Sequence, residues 1–171
     1  MRQRKWLLMT VGGLFMFFGK ANAADLKVGD PAPDFTAPAS DGSQVHLKDK
    51  IGSTPIVLYF YPKDDTPGCT KEACGLRDNF TAFRKLNATV YGISYDTVDS
   101  HREFIKKYNL PFLLLSDQDK KIAELYGAKG SLFAKRMTFV VDKTGKIAWL
   151  NPSVNPSTHS KELEEVLSKL Q

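Results

Sequence analysis

One stretch of consecutive apolar residues restricts the possible folds of this chain more than any other feature. Residues 55–61 read Pro-Ile-Val-Leu-Tyr-Phe-Tyr and are rich in β-branched and aromatic side chains. A strand without a polar face is typical of a position that is buried on both sides. The stretch therefore predicts a strand inside a sheet that is covered on both faces. With 171 residues, the chain is long enough for one domain with its own core.

The periodicity of the remaining sequence alternates between strand and helix. Strands are predicted for residues 34–37 and 44–47 as one hairpin, for 89–94 and 112–115, and for 137–141 and 146–150 as a second hairpin. Helices are predicted for residues 70–86, 98–108, 120–126 and 161–170. This order predicts one α/β domain over residues 24–171, with a mixed central sheet and helices on both faces.

The first 23 residues have the layout of a secretory signal peptide. Arg2, Arg4 and Lys5 precede an apolar segment at residues 6–19, and Ala21-Asn22-Ala23 supplies a small-x-small pattern before Ala24. The apolar segment is short for a membrane span. We therefore predict a signal peptide over residues 1–23 and, after cleavage, no membrane-embedded segment. An uncleaved N-terminal anchor is the alternative.

The positive charge of the chain is concentrated in the same segment. It contains four of the 24 basic residues and none of the 19 acidic residues. The rest of the chain is therefore close to neutral, and nucleic-acid binding loses its compositional support.

The connection between the apolar strand and the first long helix contains the two cysteines of the chain. Cys69 falls at or near the first helical turn, where free N–H groups and the helix dipole favour a thiolate over a thiol. Pro67 restricts the backbone before it, and Gly68 lets the chain approach a small ligand closely. Thr66 places a hydroxyl close enough to bond a sulfur or a bound oxygen. The pattern indicates a reactive cysteine.

The spacing of Cys69 and Cys74 bears on whether they form a permanent disulfide. On a regular helix, residues five apart have Cα atoms about 8–9 Å from each other. A disulfide needs about 4.4–6.8 Å. The two cysteines can bond only if the first turns unwind, and Gly75 would ease that change. Redox catalysis is favoured, and a structural disulfide in an exported protein remains the alternative.

These residues resemble a known family. Pro62-x-x-x-Thr66-x-x-Cys69 is similar to the active-site motif of peroxiredoxins, and the second cysteine at Cys74 resembles the bacterioferritin-comigratory-protein or PrxQ branch. The stretches at residues 28–35, 92–96, 113–117, 126–127 and 136–142 also fit the family. The resemblance covers nearly all of the chain after residue 23.

The resemblance implies a thioredoxin-like fold and a thiol-dependent peroxidase without cofactor or metal. Cys69 would attack hydrogen peroxide or an organic hydroperoxide and become a sulfenic acid, which Cys74 would resolve as an intramolecular disulfide. Thr66, Arg136 and the backbone around Gly68 would hold the peroxide oxygens, and Pro62 belongs to the same substrate-binding motif. The partners implied are a peroxide and a thioredoxin-like dithiol reductant. The protein would be a monomer in the periplasm, with a thylakoid lumen or the cell exterior as other compartments.

The remaining polar residues offer weaker alternatives. His46, His101 and His159 are scattered over a presumed hairpin, helix and loop and form no recognised zinc pattern, although a copper-carrying thioredoxin-fold protein is an alternative. His101 is interpreted as a solvated helix residue, and Asp64 and Asp65 as polar loop residues. Two further alternatives stay open: an exported thiol–disulfide oxidoreductase, which would normally need Cys-x-x-Cys, and a non-catalytic module with a structural disulfide.

Overall fold

The computed structural model describes residues 26–171, so the predicted signal peptide lies outside the described residues. The central sheet has five strands in the order β5-β4-β3-β6-β7. They are β3 Ile56–Phe60, β4 Thr89–Ser94, β5 Leu113–Ser116, β6 Met137–Val141 and β7 Ile147–Asn151. β3, β4 and β5 run parallel to one another. β6 is antiparallel to both of its neighbours, β3 and β7. A separate small hairpin joins β1 Thr36–Pro38 to β2 Gln44–His46.

The apolar strand predicted from the sequence is the middle strand of this sheet. All five residues of β3 are buried. Val57 and Tyr59 pack into the core on one face, whereas Ile56, Leu58 and Phe60 pack into the core on the other. The strand has no polar side because both of its faces are covered, as the sequence predicted.

Five α-helices flank the sheet. They are α1 Pro67–Asp78, α2 Phe80–Lys85, α3 Val98–Tyr108, α4 Lys121–Leu125 and α5 His159–Ser168. Apolar residues of α1, α2, α3 and α5 share one core with Tyr59, whereas α4 and the small hairpin cover the other face. The predicted mixed sheet with helices on both faces is confirmed. None of the helices among residues 26–171 has the length and apolar character of a membrane span.

The sequence predicted one continuous helix over residues 70–86, and this is wrong because the structure has two helices there. The structure divides it at Asn79, whose ψ of 7° ends α1 before α2 begins. The side-chain amide of Asn79 donates to the carbonyl oxygen of Ser160 at 3.3 Å and to Oε2 of Glu164 at 2.8 Å, both on α5. Asparagine competes with helical backbone bonding, and here its side chain is engaged by a neighbouring helix. The break therefore comes from a tertiary contact.

Gly92 in β4 lies where the structure leaves no room for a side chain. A Cβ atom built on Gly92 of β4 would lie 2.6 Å from the Tyr59 ring and 2.6 Å from Leu114. The absence of a side chain at this position lets the Tyr59 ring lie across β4. Tyr59 in turn stacks on Tyr61, with ring centroids 5.3 Å apart.

Candidate active site

Cys69 lies in the first turn of α1, as the sequence predicted, and is only 2% exposed. Pro67 occupies the first position of the helix, where its fixed φ is already helical and its missing N–H is not needed. Thr66 precedes the helix in an extended conformation and makes no side-chain cap. The N–H groups of Gly68 and Cys69 therefore have no intrahelical partner and place partial positive charge beside the sulfur.

Arg136, directly before β6, is the side chain that reaches this sulfur. Its Nη2 donates to Sγ of Cys69 at 3.2 Å. A Cβ atom on Gly68 would lie 3.4 Å from the same nitrogen, so the glycine leaves room for the guanidinium. The guanidinium and the helix N-terminus thus place positive charge from two sources at the Cys69 sulfur. The structure thus brings Cys69, Gly68 and Arg136 together from segments that are 67 residues apart.

Glu72 completes this arrangement, and the sequence analysis gave it no role. It is 1% exposed on α1, and its Oε2 accepts a hydrogen bond from Nη1 of Arg136. Burial opposes the charge on Arg136, but the Glu72 carboxylate and the contact with Cys69 outweigh it and raise the pKa of the guanidinium. A carboxylate three residues after Cys69 lies on the same helix face as the cysteine. That spacing is the sequence feature from which a role for Glu72 could have been predicted.

His159 lies behind Glu72 and is fully buried. The sequence analysis placed it in a loop, and this is wrong: it is the first residue of α5. Its Nδ1 lies 2.9 Å from Oε1 of Glu72, at an angle outside the usual hydrogen-bond range. Its Nε2 lies 3.1 Å from Oγ1 of Thr138 in β6. The helix pattern became visible only at Leu163, which is why the start of α5 was predicted too late.

The other predicted site residues border the same helix terminus. Oγ1 of Thr66 donates to the carbonyl oxygen of Lys63 at 3.0 Å, so its proton is engaged while its lone pairs remain able to accept. Pro62 is half-buried just after β3. The structure does not pair the Thr66 hydroxyl with the Cys69 sulfur; the hydroxyl turns to the loop instead.

Cys74 is half-buried on α1, and both cysteines are free thiols. Because both lie within one regular helix, Pro67–Asp78, their Cα atoms are about 8–9 Å apart by helix geometry. This exceeds the distance of about 4.4–6.8 Å that a disulfide allows. In this conformation the two sulfurs cannot bond.

A second buried polar cluster lies beside the loop that leads to Cys69, and it overturns two interpretations from the sequence. His101 is not solvated: it is fully buried, with Nδ1 2.9 Å from Oδ2 of Asp64. Asp64, 7% exposed, also accepts hydrogen bonds from Tyr61 at 2.6 Å and from Ser100 at 2.7 Å. Asp65 does lie on the surface, paired with Lys107 at 2.6 Å. The cluster fixes the loop between β3 and α1.

Tyr59 lies between the two polar clusters, and its hydroxyl has no hydrogen-bond partner among residues 26–171. Burial, followed by the negative charges of Glu72 and Asp64, raises the pKa of Tyr59 well above its usual value. The phenol therefore stays neutral in the folded protein. Within the same described part of the chain, no group of three or more His, Cys, Asp or Glu side chains is placed to hold a metal ion.

Comparison with known proteins adds independent findings. The sequence profile of the AhpC/TSA family matches residues 28–150. The chain is 44% identical over 146 residues to a protein of Oryza sativa subsp. japonica named peroxiredoxin Q, chloroplastic, covering 83% of this chain and 67% of that protein.

Solved structures agree with this similarity. The crystal structure of peroxidoxin BcpB from Mycobacterium tuberculosis superposes with a TM-score of 0.82 at 33% identity, covering 86% of this chain and 99% of the other. The crystal structure of a cysteine-to-serine mutant of PrxQ from Xylella fastidiosa superposes with a TM-score of 0.80 at 28% identity, covering 85% of this chain and 97% of the other. The thioredoxin-like fold expected from the sequence is confirmed.

Proposed function

The chain belongs to the AhpC/TSA family and is a thiol-dependent peroxidase, and from this premise we propose that Cys69 is its peroxidatic cysteine and Cys74 its resolving cysteine. The observation that carries the assignment is the 3.2 Å contact between Nη2 of Arg136 and the Cys69 sulfur at a helix N-terminus. Cys74 has no such partner among the described residues and lies farther along α1. Of the two cysteines, Cys69 is therefore the one whose sulfur is bonded by a guanidinium at a helix N-terminus.

The first step is a displacement at oxygen. The Cys69 thiolate donates an electron pair to one peroxide oxygen, and the O–O bond breaks as the S–O bond forms. Sulfur is oxidised to the sulfenic acid and the peroxide is reduced. The leaving oxygen departs with the bonding electrons and takes up a proton to become water, or an alcohol when the substrate is an organic hydroperoxide.

The neighbouring groups orient the peroxide and stabilise charge on its leaving oxygen. Arg136 is permanently charged and offers several donors in a fixed fork. The unpaired N–H groups of Gly68 and Cys69 point from the helix terminus. Because the Thr66 hydroxyl already donates to Lys63, its oxygen would accept a hydrogen bond from the protonated end of the peroxide. Pro62 would form part of the wall of the substrate site.

The second step requires Cys74 to reach the sulfenic sulfur. α1 unwinds locally, the Cys74 thiolate attacks Cys69, and hydroxide leaves and is protonated to water, which gives the Cys69–Cys74 disulfide. A thioredoxin-like dithiol then reduces this disulfide by thiol exchange and becomes oxidised itself. The wound helix is the form that reacts with peroxide, and the unwound form is the one that reacts with the reductant. We propose that the enzyme acts as a monomer.

Stopped-flow mixing of the reduced protein with hydrogen peroxide tests this assignment. Trp149 is the only tryptophan among residues 26–171 and can report the reaction by fluorescence. We expect rapid loss of two thiols per peroxide in the native protein, no fast phase in Cys69→Ser, and one turnover with a trapped sulfenic acid in Cys74→Ser. Because serine is nearly isosteric with cysteine, the two variants are matched controls for each other. Equal effects of the two substitutions would contradict the assignment.

We also propose that the protein is exported, and that the periplasm is where it meets peroxide. The proposal rests on the composition of residues 1–23. The rice relative is named chloroplastic, so compartments differ among relatives. Mass spectrometry of the N-terminus from fractionated cells tests the export. A mature chain beginning at Ala24 supports it, whereas an intact Met1 in the cytoplasmic fraction would refute it.

A further inference from the structure

We propose that His159 is a positioning residue: through Glu72 it holds α1 wound for peroxide attack and sets how easily the helix unwinds for disulfide formation. The inference rests on the proposed roles of Cys69 and Cys74 and assigns the control of that step to a pair outside the reacting atoms. Neither residue touches the Cys69 sulfur directly. Glu72 acts through Arg136, and His159 acts through Glu72.

The burial of the pair is the first observation. Both side chains are completely shielded from solvent, and Glu72 has contacts with charged or titratable groups on two sides. A buried carboxylate is costly unless it is paired. Nδ1 of His159 faces Oε1 of Glu72 at 2.9 Å and is the nearest polar group to that oxygen on the side away from Arg136. Its Nε2 lies 3.1 Å from the Thr138 hydroxyl, within hydrogen-bond distance.

The position of Glu72 in the chain is the second observation. It lies between Cys69 and Cys74, within the part of α1 that must unwind before the two sulfurs meet. Unwinding moves the Glu72 backbone and breaks its contacts with Arg136 and His159, which are held by β6 and α5. The two contacts therefore oppose the opening of the helix.

Arg136 links this restraint to the redox state of Cys69. Its two terminal nitrogens bond the Cys69 sulfur and the Glu72 carboxylate at the same time. When the thiolate becomes a neutral sulfenic acid, Arg136 loses one of its two anionic partners, and the charge-assisted bond to sulfur weakens. The contacts of Glu72 with Arg136 and His159 then remain as polar restraints on the segment of α1 between the two cysteines. Opening becomes easier after oxidation, when Cys74 is needed.

The neighbouring α1–α5 contacts provide a matched control. Gly75 lies against Ser160, since a Cβ atom there would be 3.7 Å from the Ser160 hydroxyl. One turn farther, Asn79 donates two hydrogen bonds to α5. Asn79→Ala removes contacts between the same two helices without touching Glu72, so it separates general loosening from the specific effect of His159.

Two variants of His159 separate its contact with Glu72 from its contact with Thr138, because each variant keeps one of them. Asn places a donor near the position of Nδ1, so His159→Asn keeps the contact with Glu72. Gln reaches toward the position of Nε2, so His159→Gln keeps the contact with Thr138 and loses the one with Glu72. In His159→Gln we expect the disulfide to form about tenfold faster, the change expected when a buried charged group loses one polar contact. The rate of peroxide attack should stay within about twofold, because the wound form remains the more populated one. His159→Asn and Asn79→Ala should each stay within about twofold of the native protein in both steps.

Stopped-flow fluorescence with sulfenic-acid trapping measures the two steps separately. Hydrogen exchange of the α1 amides in the reduced protein measures the opening without peroxide, and should be about tenfold faster only in His159→Gln. The proposal is overturned if disulfide formation in His159→Gln is no faster than in the native protein, if His159→Asn behaves like His159→Gln, or if Asn79→Ala reproduces the effect. If the native protein does not lose thiols to peroxide, the proposed function fails instead, and the exchange data still decide whether His159 restrains α1.

Discussion

In the variant Glu72→Gln, a carboxylate that is 1% exposed becomes a neutral amide of nearly the same shape. Breaking a buried ion pair by removing one charge costs about 3–5 kcal/mol, because the partner loses its opposite charge. The amide oxygen of Gln still accepts from Arg136, and a neutral hydrogen bond recovers about 1 kcal/mol. The free energy of unfolding should therefore fall by about 2–4 kcal/mol, equivalent to a Tm about 4–16 °C lower for a domain of this size.

Urea denaturation of the reduced protein, followed by Trp149 fluorescence and circular dichroism, measures this change. The matched control is Glu124→Gln, since Glu124 pairs with Lys129 at 2.7 Å on the surface, where both side chains are about half exposed. An exposed pair contributes about 0–1 kcal/mol, so the control should leave the urea midpoint almost unchanged. If Glu72→Gln destabilises the protein no more than Glu124→Gln, the argument from burial is refuted.

Two further substitutions test the packing around the site. Tyr59→Phe removes a buried hydroxyl that has no partner among residues 26–171, and should stabilise the protein by about 1 kcal/mol at pH 7 in urea denaturation. Because the pKa of Tyr59 is raised in the folded state, the unfolded state loses the phenol proton first above about pH 10, and stability falls as the pH rises. Tyr59→Phe should reduce that fall. An equal dependence of stability on alkaline pH in both proteins would contradict this prediction. Gly92→Ala introduces a Cβ atom 2.6 Å from the Tyr59 ring and should cost about 1–3 kcal/mol, and a neutral thermal melt would show that the ring can move aside.

The parts of the fold that the sequence predicted well are those governed by local patterns. β3 is visible because seven consecutive apolar residues leave no polar face, and the second hairpin is marked by the turn at Asp142 and Gly145. Cys69 could be placed at a helix N-terminus because Pro67 and Gly68 precede it and apolar residues recur after it. Thr66 was identified by its position three residues before Cys69, whereas Arg136 came only from the family resemblance, because no periodicity distinguishes it from other polar residues.

Buried polar residues were missed for a physical reason. Hydrophobic periodicity assigns polar side chains to the surface by default, and only a partner offsets the cost of burying them. The partner of His101 is Asp64, 37 residues earlier, and His159 faces Glu72 from a different helix. Such pairs depend on how helices are docked, which no local pattern contains. The break at Asn79 has the same origin, because its amide bonds to α5.

The polar contacts at Glu72 also suit the local unwinding of α1 that we propose. The helix is held weakly by its own sequence: Thr66 gives no side-chain cap, and Gly75 in its interior costs about 1 kcal/mol relative to alanine. Apolar packing at Ala73 and Leu76 adds stability that does not depend on the state of the cysteine. A charged network joined to the sulfur through Arg136 differs, because its strength depends on whether Cys69 is an anion. If Cys69 is the peroxidatic cysteine, as we propose, a helix held in this way would stay wound until peroxide reacts and would loosen once the sulfur has lost its charge.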